Sequence, residues 1–463
     1  DRFQRVCARA PEKRFLINSY QLLMKKKAAM KFLLSLSVLC GGATMGRGQS
    51  IEAEPVELNL PRIIQFALDN NLDILSAREE RRVAEGLVTE ATAGALPHFA
   101  VNSSYTRLDS IPETRGDVDN YSAKLGVVQP LYVGGRVRAA RRIANEFNRS
   151  VTDGINNTEQ DIVFTVQRAF YDVLLAREDL AVANDASTLA EQNLAEVKTK
   201  FEQGTARRFD LLRAEEQYSQ SWADQLRASN AVALARTALF TLIRISPDSS
   251  IPLVGELSFT PGEVDETQSL EKALDNRPDL RQAASRLKMQ EDAIVIAGAG
   301  MRPTLSARAD AGYINPDRAS VAEWTDCWSA TVALEIPVFD GLDTRGKVAQ
   351  ERARLEQYRF QYDALKDAIQ KEITQSVLNY RTAQERVAAC QKSMTQSEES
   401  YRLVTVGYRE GINPQIDVLS SQLSLTNTRR AYHRAVYEHV MAGLSLKKAE
   451  GLIYNEITGE ETL

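Results

Sequence analysis

The chain has 463 residues, a formal net charge of −5 and hydrophobic residues at 43% of its positions. A weakly acidic chain offers no general basic surface, so its charge gives no support to nucleic-acid binding. Of its four cysteines, Cys7 and Cys40 lie in or before a predicted leader, and Cys327 and Cys390 have no metal-like spacing. A disulfide-stapled scaffold is therefore excluded.

Residues 1–48 are predicted to be a leader or signal peptide. Lys25–Lys27 and Lys31 precede the apolar run Phe32–Leu39, and small residues follow over Gly41–Gly48. A basic start, a short apolar run and a small-residue tail are the three parts of a secretory signal. The sequence therefore predicts an exported chain.

Two details of this leader stay open. Residues 1–23 precede the candidate starts Met24 and Met30, and we expect them to lie outside the native translated sequence. Cys40 closes the apolar run, as a lipid-attachment cysteine does, but the bulky Leu39 before it argues against lipidation.

Residues 57–255 are predicted to form a first unit of helices and two strands. Apolar residues at helical spacing predict a helix over 57–95, and Pro97 ends it. Alternation of apolar and polar residues then predicts half-buried strands over 98–108 and 120–132.

A long helix is predicted after these strands. From Arg136 to Gln203 there is no Pro and a single Gly, Gly154, and apolar residues recur at steps of three, four and seven. At 1.5 Å per residue such a helix is roughly 100 Å long, so we expect it to pair with other helices as a coiled coil. Gly204 interrupts it, and a second helix completes this helix hairpin.

A second unit over residues 265–449 is predicted to repeat this plan. Its predicted elements are a helix over 269–300, strands over 304–313 and 327–339, a long helix over 344–409, a hairpin turn at Gly411 and a final helix. A disordered tail is expected over 451–463.

The two units also share sequence motifs about 206 residues apart. The paired segments are Ala67–Asp73 (ALDNNLD) with Ala273–Asp279 (ALDNRPD), Pro97 with Pro303, Pro130–Gly134 with Pro337–Gly341, and Phe201–Gly204 with Tyr408–Gly411. Because the register holds along the whole chain, the sequence predicts an internal structural duplication.

Each predicted strand has about ten residues, the length of a tilted strand that crosses a bilayer. Four strands are too few to close a membrane barrel, because the smallest barrels use about eight. An open sheet edge in hydrocarbon leaves backbone groups unpaired, at a high cost in free energy. The sequence therefore predicts a barrel that several chains share, without fixing their number.

The repeated ALDN helix start, the proline–glycine corner and the glycine tip, in this order over residues 57–449, resemble the TolC family of outer-membrane efflux proteins. The resemblance implies a mainly α fold with a small β part. It implies a homotrimer with a twelve-stranded β-barrel in the outer-membrane lipid bilayer and an α-helical coiled-coil barrel across the periplasm. It also implies a closed tip that opens when a periplasmic adaptor and an inner-membrane pump of RND, MFS or ABC type engage.

The resemblance assigns a periplasmic gate to Asp210, Tyr408, Asn413, Asp417 and Ser420. In the family a Tyr bonds an Asp on a neighbouring hairpin, and Asp residues ring the closed pore. Asp210 fits a helix cap better than a gate, whereas Asp417 fits a pore-facing position. Asn413 stands where the family has a gating Arg, and Ser420 where it has a second pore Asp, so we expect weaker charge locking.

Other assignments also have two interpretations. The tips, Gly204 with Thr205 and Gly411 with Ile412, can be simple glycine caps, and the resemblance implies that an adaptor docks on them; the two roles are compatible. Trp324 and Trp328 are either interface aromatics or core residues.

The strand and helix corners are expected at Pro97, Pro130, Pro303 and Pro337.

The remaining sequence signals, those for a metal or catalytic site, are negative. The three histidines, His98, His433 and His439, form no cluster in the sequence, and no nucleophile pattern is present. We therefore expect no metal, no cofactor and no enzyme activity.

The function predicted from sequence is a passive exit channel of a tripartite efflux or type I secretion system. The alternative is an exported structural coiled-coil protein without a transport role. The four strands with polar loops favour the channel, because a pure coiled coil has no use for them. Whether drugs, metals or proteins are exported stays open at this stage.

Overall fold

The structure is a computed structural model that describes residues 58–108, 118–246, 251–315 and 324–453. The predicted leader, most of both polar strand loops and residues 454–463 of the predicted tail lie outside the described residues. What is described is mainly helical, with one small antiparallel sheet. None of the described helices is both long enough and apolar enough to cross a membrane.

The two halves contain the same elements in the same order. The first half contains α1 (Leu60–Asn70), α2 (Leu72–Ala93), β1 (His98–Leu108), β2 (Val118–Val133), α3 (Arg136–Glu202) and α4 (Arg208–Leu242). The second half contains α5 (Glu266–Asn276), α6 (Pro278–Gly298), β3 (Thr304–Asn315), β4 (Thr325–Glu335), α7 (Asp343–Arg409) and α8 (Gln415–Ala449). A 3-10 turn, Ala299–Met301, joins α6 to β3.

Each half begins with two helices where the sequence predicted one. In the range 57–95 the break is at Asn71, which has an extended backbone and accepts the Asp73 N–H at its side chain, capping α2. In the range 269–300 the break is at Arg277, because the following Pro278 disfavours the helical conformation at the residue before it.

The last strand also ends earlier than predicted. β4 spans Thr325–Glu335 rather than 327–339, so Pro337 lies beyond the strand. The chain turns there through Gly341 and Leu342, both at positive φ, before α7 begins. Proline cannot donate a ladder hydrogen bond, which is consistent with pairing that stops before Pro337.

The four strands pair in the order β1-β2-β3-β4, all antiparallel. The central pair, β2 with β3, joins one half of the chain to the other. Its register shifts between Pro130 and Tyr132, where proline lacks the N–H that regular pairing requires. β1 and β4 are the two edges of this sheet.

The helices pack in pairs, and the two largest apolar clusters among the described residues lie one in each half. α3 packs along α4, and α7 along α8, while α3 also contacts α2, α6 and α8. The larger cluster, in the first half, includes Ile63, Ile64, Val163, Val166, Leu239 and Phe240. The second half has a smaller one, with Ala273, Leu280, Ile369, Ile373, Val377 and Leu446.

An ion-pair network ties the start of α6 to α7 and to the end of α8. Arg277 donates to Asp279 at 2.8 Å, to Glu372 at 2.6 Å and to the Ala449 carbonyl at 3.3 Å. Burial raises the pKa of the Asp279 carboxyl, but the hydrogen bonds and charge of Arg277 outweigh it, so the pKa lies below its ordinary value.

This lowered pKa predicts how stability depends on pH. A carboxyl with a lowered folded-state pKa stabilises the fold above its unfolded pKa of about 3.9, and the stabilisation is lost as the pH falls through the folded value. We expect Asp279→Asn to lower the thermal midpoint near neutral pH and to reduce its further fall in acid. Thermal unfolding across the acid range measures this.

The matched control for that variant is Asp275→Asn, at an exposed position near the C-terminal end of α5. It should reproduce the wild-type acid profile. Equal profiles for Asp279→Asn and the wild type would contradict the assigned role of the Arg277 network.

Candidate functional site

The first helix hairpin turns at Gly204. α3 ends at Glu202, and Gly204 has φ +76°, a conformation that glycine adopts with little strain. The Lys200 carbonyl accepts the N–H groups of Thr205 at 2.8 Å and Ala206 at 3.1 Å. The turn therefore caps α3 and returns the chain into α4.

The second hairpin turns in the same way at Gly411. Its φ is +77°, and the Gly407 carbonyl accepts the N–H groups of Ile412 at 2.8 Å and Asn413 at 3.2 Å. Ile412 has 77% of its side chain exposed at the tip. Both predicted tip positions thus occupy equivalent, solvent-facing glycine turns.

Asp210 lies in the first turn of α4. Its carboxylate accepts the Arg207 backbone N–H at 3.2 Å. An acidic side chain at this point satisfies a free donor and complements the positive end of the helix dipole. The structure thus places Asp210 where it caps its own helix.

The predicted gate residues of the second tip have different environments. Asp417 and Ser420 are exposed at the start of α8, where the Ser420 hydroxyl donates to the Asp417 carbonyl at 3.0 Å. Asn413 is half-buried and donates from its side chain to the Val404 carbonyl at 3.4 Å. Asn413 therefore bonds the end of its own long helix, whereas the Asp417 carboxylate faces solvent.

The two tips of the chain contact each other directly. The buried Gln415 side chain donates to the Asp210 carbonyl at 3.1 Å. The Lys200 ammonium lies 3.9 Å from the ring centroid of Tyr408. Within the described part of a single chain, no hydrogen bond joins the Tyr408 hydroxyl to Asp210.

The charges around Tyr408 have opposing effects on it. Burial raises the pKa of the Tyr408 hydroxyl, Lys200 lowers it, and the carboxylates of Glu196 and Asp210 raise it further, so the net pKa is above its ordinary value. Tyr408 is therefore a neutral aromatic ring near neutral pH, with a cation over its face.

A series of polar contacts extends from the tips along the seam between α3 and α8. The contacting pairs are Tyr437 with Asp172 at 2.5 Å, His433 with Glu178 at 3.6 Å and Arg429 with Asp185 at 3.1 Å. Burial, together with the Asp172 hydrogen bond, raises the pKa of Tyr437 to about 12. The seam is thus acidic on α3 and donor-rich on α8.

These seam residues were not among the positions predicted from sequence. A signal for them is present, because 429, 433 and 437 recur at the four-residue spacing of one helix face. On α3, residues 172, 178 and 185 recur at near-heptad steps. Only the packing shows that these two faces meet.

The four predicted corner prolines lie at or near strand ends. Pro97 directly precedes β1, Pro303 directly precedes β3, Pro130 lies in β2 at the register shift, and Pro337 follows β4. They are far along the chain from the glycine tips, so corners and tips form two separate regions of each half.

The sheet has one apolar face and one polar face. Strand register places Val101, Leu125, Ala311, Trp328 and Val332 on the first face, where Trp328 is 78% exposed. The opposite face holds Asn102, Ser104, Ser122, Lys124, Arg308 and Asp310. A sheet with this alternation and an uncovered apolar face fits a boundary between hydrocarbon and water.

Aromatic side chains gather at the end of the sheet away from the helices. The ring centroids of Tyr105 and Tyr121 are 4.9 Å apart, and those of Tyr121 and Trp324 are 6.3 Å apart. Both predicted tryptophans are exposed in the single chain, so neither is a core residue within it. Such a group is typical of a membrane–water interface.

The histidines are dispersed in the structure. His98 begins β1, His433 contacts Glu178, and His439 is buried against the rings of Phe259 and Tyr380. Within the described ranges, no group of His, Cys, Asp and Glu side chains has the arrangement of a metal site.

Family comparison agrees with this geometry. The family model described as outer membrane efflux protein matches residues 63–243 and 269–452, which together make up most of the chain. The chain belongs to this family. Its members are passive channels and not enzymes. As a member of this family, the chain is an outer-membrane protein that extends into the periplasm.

Individual relatives are similar along nearly their whole length. The outer membrane protein TolC of Vibrio cholerae is 23% identical over 435 residues, covering 92% of this chain and 96% of TolC. The proteases secretion protein PrtF of Dickeya chrysanthemi is 22% identical over 406 residues, covering 84% of this chain and 87% of PrtF. The crystal structure of VceC from Vibrio cholerae has a TM-score of 0.74 at 20% identity, covering 85% of this chain and 96% of VceC.

The glycine tips predict a contrast between two alanine substitutions. Gly204→Ala forces a side chain into a left-handed conformation, at a cost of about 1 kcal/mol or more. Gly86, inside α2, has open space where an alanine methyl group would lie, so Gly86→Ala should stabilise the helix by up to about 1 kcal/mol. Hydrogen exchange of the amides at residues 199–206 should accelerate only in Gly204→Ala, and unchanged exchange there would contradict the strain argument.

Proposed function

We propose that this chain is the outer-membrane exit channel of a tripartite efflux or type I secretion system. In this proposal it is a homotrimeric, passive conduit across the periplasm and the outer membrane. A periplasmic adaptor and an inner-membrane pump open its closed tip. The observation that carries the proposal is a two-faced, four-stranded sheet on long helix hairpins, in a chain of the outer membrane efflux family.

The sheet edges support an oligomer. β1 and β4 are edge strands, and their outer backbone groups need partners if the sheet lies in hydrocarbon. Edges of further copies supply those partners, because β4 of one copy can pair with β1 of the next. Three copies give a twelve-stranded barrel, with the apolar face outward and the polar face toward the channel.

The helices support a conduit through the periplasm. α3 and α7 have 67 residues each, which corresponds to roughly 100 Å of helix. The matched lengths and order of elements in the two halves support an internal duplication, in which each chain contributes two similar hairpins. Three copies then contribute twelve long helices to one α-helical barrel.

The glycine tips support the remaining roles. Gly204, Thr205, Gly411 and Ile412 are exposed at the hairpin turns, so they are available to an adaptor. The exposed Asp417 carboxylate can face the pore axis, where three copies would repel one another and attract cations. Asp210 and Asn413 bond within their own hairpins, which supports a gate with weak charge locking between chains.

The exported solute depends on the partner pump. The family description names efflux, and the name of PrtF specifies protease secretion. Both uses fit a conduit that has no chemistry of its own. The inner-membrane partner, of RND, MFS or ABC type, would set the substrate and supply the energy.

Purification in detergent and planar-bilayer recording test the proposal. We expect a trimer by light scattering and a channel of small resting conductance. In the same recordings, Asp417→Ala should weaken block of the channel by divalent cations. A monomer that stays soluble without detergent and forms no channel would overturn the proposal and favour the structural coiled-coil alternative.

The two faces of β4 provide a matched pair of substitutions. Val332 lies on the apolar face with 69% of its side chain exposed, and Thr331 lies next to it on the polar face. Arginine on a lipid-facing strand costs about 2–4 kcal/mol at the bilayer midplane and much less on the channel side. Val332→Arg should therefore reduce folded protein in the outer membrane fraction, while Thr331→Arg should not; equal yields would contradict the assignment of the faces.

A further inference from the structure

The contact between Lys200 and Tyr408 joins the two hairpin tips of one chain. We propose that this cation–π pair is the latch that holds the tips together in the closed channel, and that the Gly204 turn controls it. The proposal rests on the proposed channel function and assigns its gating to specific side chains. In this pair Lys200 supplies the cation, and Tyr408 supplies the aromatic face that the cation contacts.

The geometry of the pair is well suited to this role. The Lys200 ammonium is 3.9 Å from the ring centroid, inside the distance of about 6 Å at which such contacts are attractive. The Lys200 side chain is 29% exposed, so part of its hydration is already lost. A cation that is partly removed from water interacts more strongly with an aromatic face than an exposed one.

Other polar groups of the tips are already engaged. The Asp210 carboxylate accepts from the Arg207 N–H, and the Asn413 side chain donates to the Val404 carbonyl. Among the groups described at the tips, three side-chain contacts connect one hairpin to the other: Lys200 with Tyr408, Gln415 with the Asp210 carbonyl, and Glu196 with Arg409 at 4.0 Å. The Lys200 contact is the one of these three in which a cation lies over an aromatic face.

The position of Lys200 is set by the first turn. Its carbonyl accepts the N–H groups of Thr205 and Ala206 and, at 2.9 Å, the Thr205 hydroxyl. A protein that displaces the Gly204–Thr205 turn therefore also displaces the backbone of Lys200, through these hydrogen bonds. The proposed docking turn, Gly204–Thr205, is thus hydrogen-bonded to the same residue that forms the latch.

Glu196 assists the latch from one helical turn away. Its carboxylate lies 3.1 Å from the Lys200 ammonium and 4.0 Å from the Arg409 guanidinium of the other hairpin. It limits the rotamers of Lys200 and lies beside the cations of both hairpins. Because these groups are partly exposed, its contribution should be smaller than that of the ring contact and should fall with salt.

The test compares four variants of the full chain, purified from the membrane and recorded in planar bilayers. Lys200→Met keeps the aliphatic stem and removes the charge, and Tyr408→Leu removes the aromatic face. Tyr408→Phe keeps the face and removes the hydroxyl. Lys198→Met, at an exposed position on the same helix, is the matched control for loss of a lysine.

The latch predicts a distinctive order of effects. Lys200→Met and Tyr408→Leu should each raise the open-to-closed ratio at least about fivefold, the size expected for loss of one such contact per chain. Tyr408→Phe and Lys198→Met should stay within about twofold of the wild type. Light scattering of each variant verifies that it is assembled like the wild type.

Three results would overturn the proposal in distinguishable ways. Opening by Tyr408→Phe as large as by Tyr408→Leu would assign closure to the hydroxyl. Wild-type behaviour of both Lys200→Met and Tyr408→Leu would remove the latch but keep the channel. If neither the wild type nor any variant conducts, the proposed channel function fails, and the latch fails with it.

Discussion

The structure depends most on the backbone hydrogen bonds that its sheet leaves open. In the described chain, β1 and β4 pair on one side only, so each presents a row of free N–H and C=O groups. In water such an edge is tolerated, but in the hydrocarbon of a membrane every unpaired group costs several kcal/mol. In the proposed channel a single copy is therefore incomplete, because both edges of its sheet need partners from further copies.

The helices meet a different constraint, because a helix of 67 residues cannot be buried in a compact core. α3 and α7 instead bury narrow stripes against neighbouring helices, and glycine turns at positive φ reverse the chain at the tips. The two largest apolar clusters lie where the short helices α1 and α5 join each bundle, and a small one, with Val197, Leu211 and Ala214, lies near the first tip. Toward the tips the contacts between α3 and α8 become polar, with Arg429, His433 and Tyr437 facing carboxylates. A polar seam can exchange its partners for water at lower cost than an apolar one, which is compatible with the proposed opening of the tip.

Much of this fold could be read from the sequence, because local rules act on it strongly. The absence of proline between Arg136 and Gln203 predicts a long helix, and the structure has α3 over Arg136–Glu202. Alternation of apolar and polar residues predicts four strands. The breaks at Asn71 and Arg277 were missed, because a capping side chain and a proline interrupt an apolar pattern that continues past them. The end of β4 was misplaced for a similar reason, since apolar residues continue beyond the last paired residue.

By itself, the sequence determined the element types, the hairpin turns, the correspondence of the two halves and the membership of the family, because spacing and glycine or proline placement act over short distances. Only the tertiary structure decided which side chains meet between the hairpins. The family resemblance implied a bond between Tyr408 and an Asp of a neighbouring hairpin, and within one chain the structure places Asp210 on the Arg207 N–H and Lys200 over the Tyr408 ring. Lys200 and Tyr408 are 208 positions apart in the chain, and their contact depends on how α3 and α7 are aligned along their lengths. No local pattern encodes that alignment, because it results from the summed packing of both hairpins.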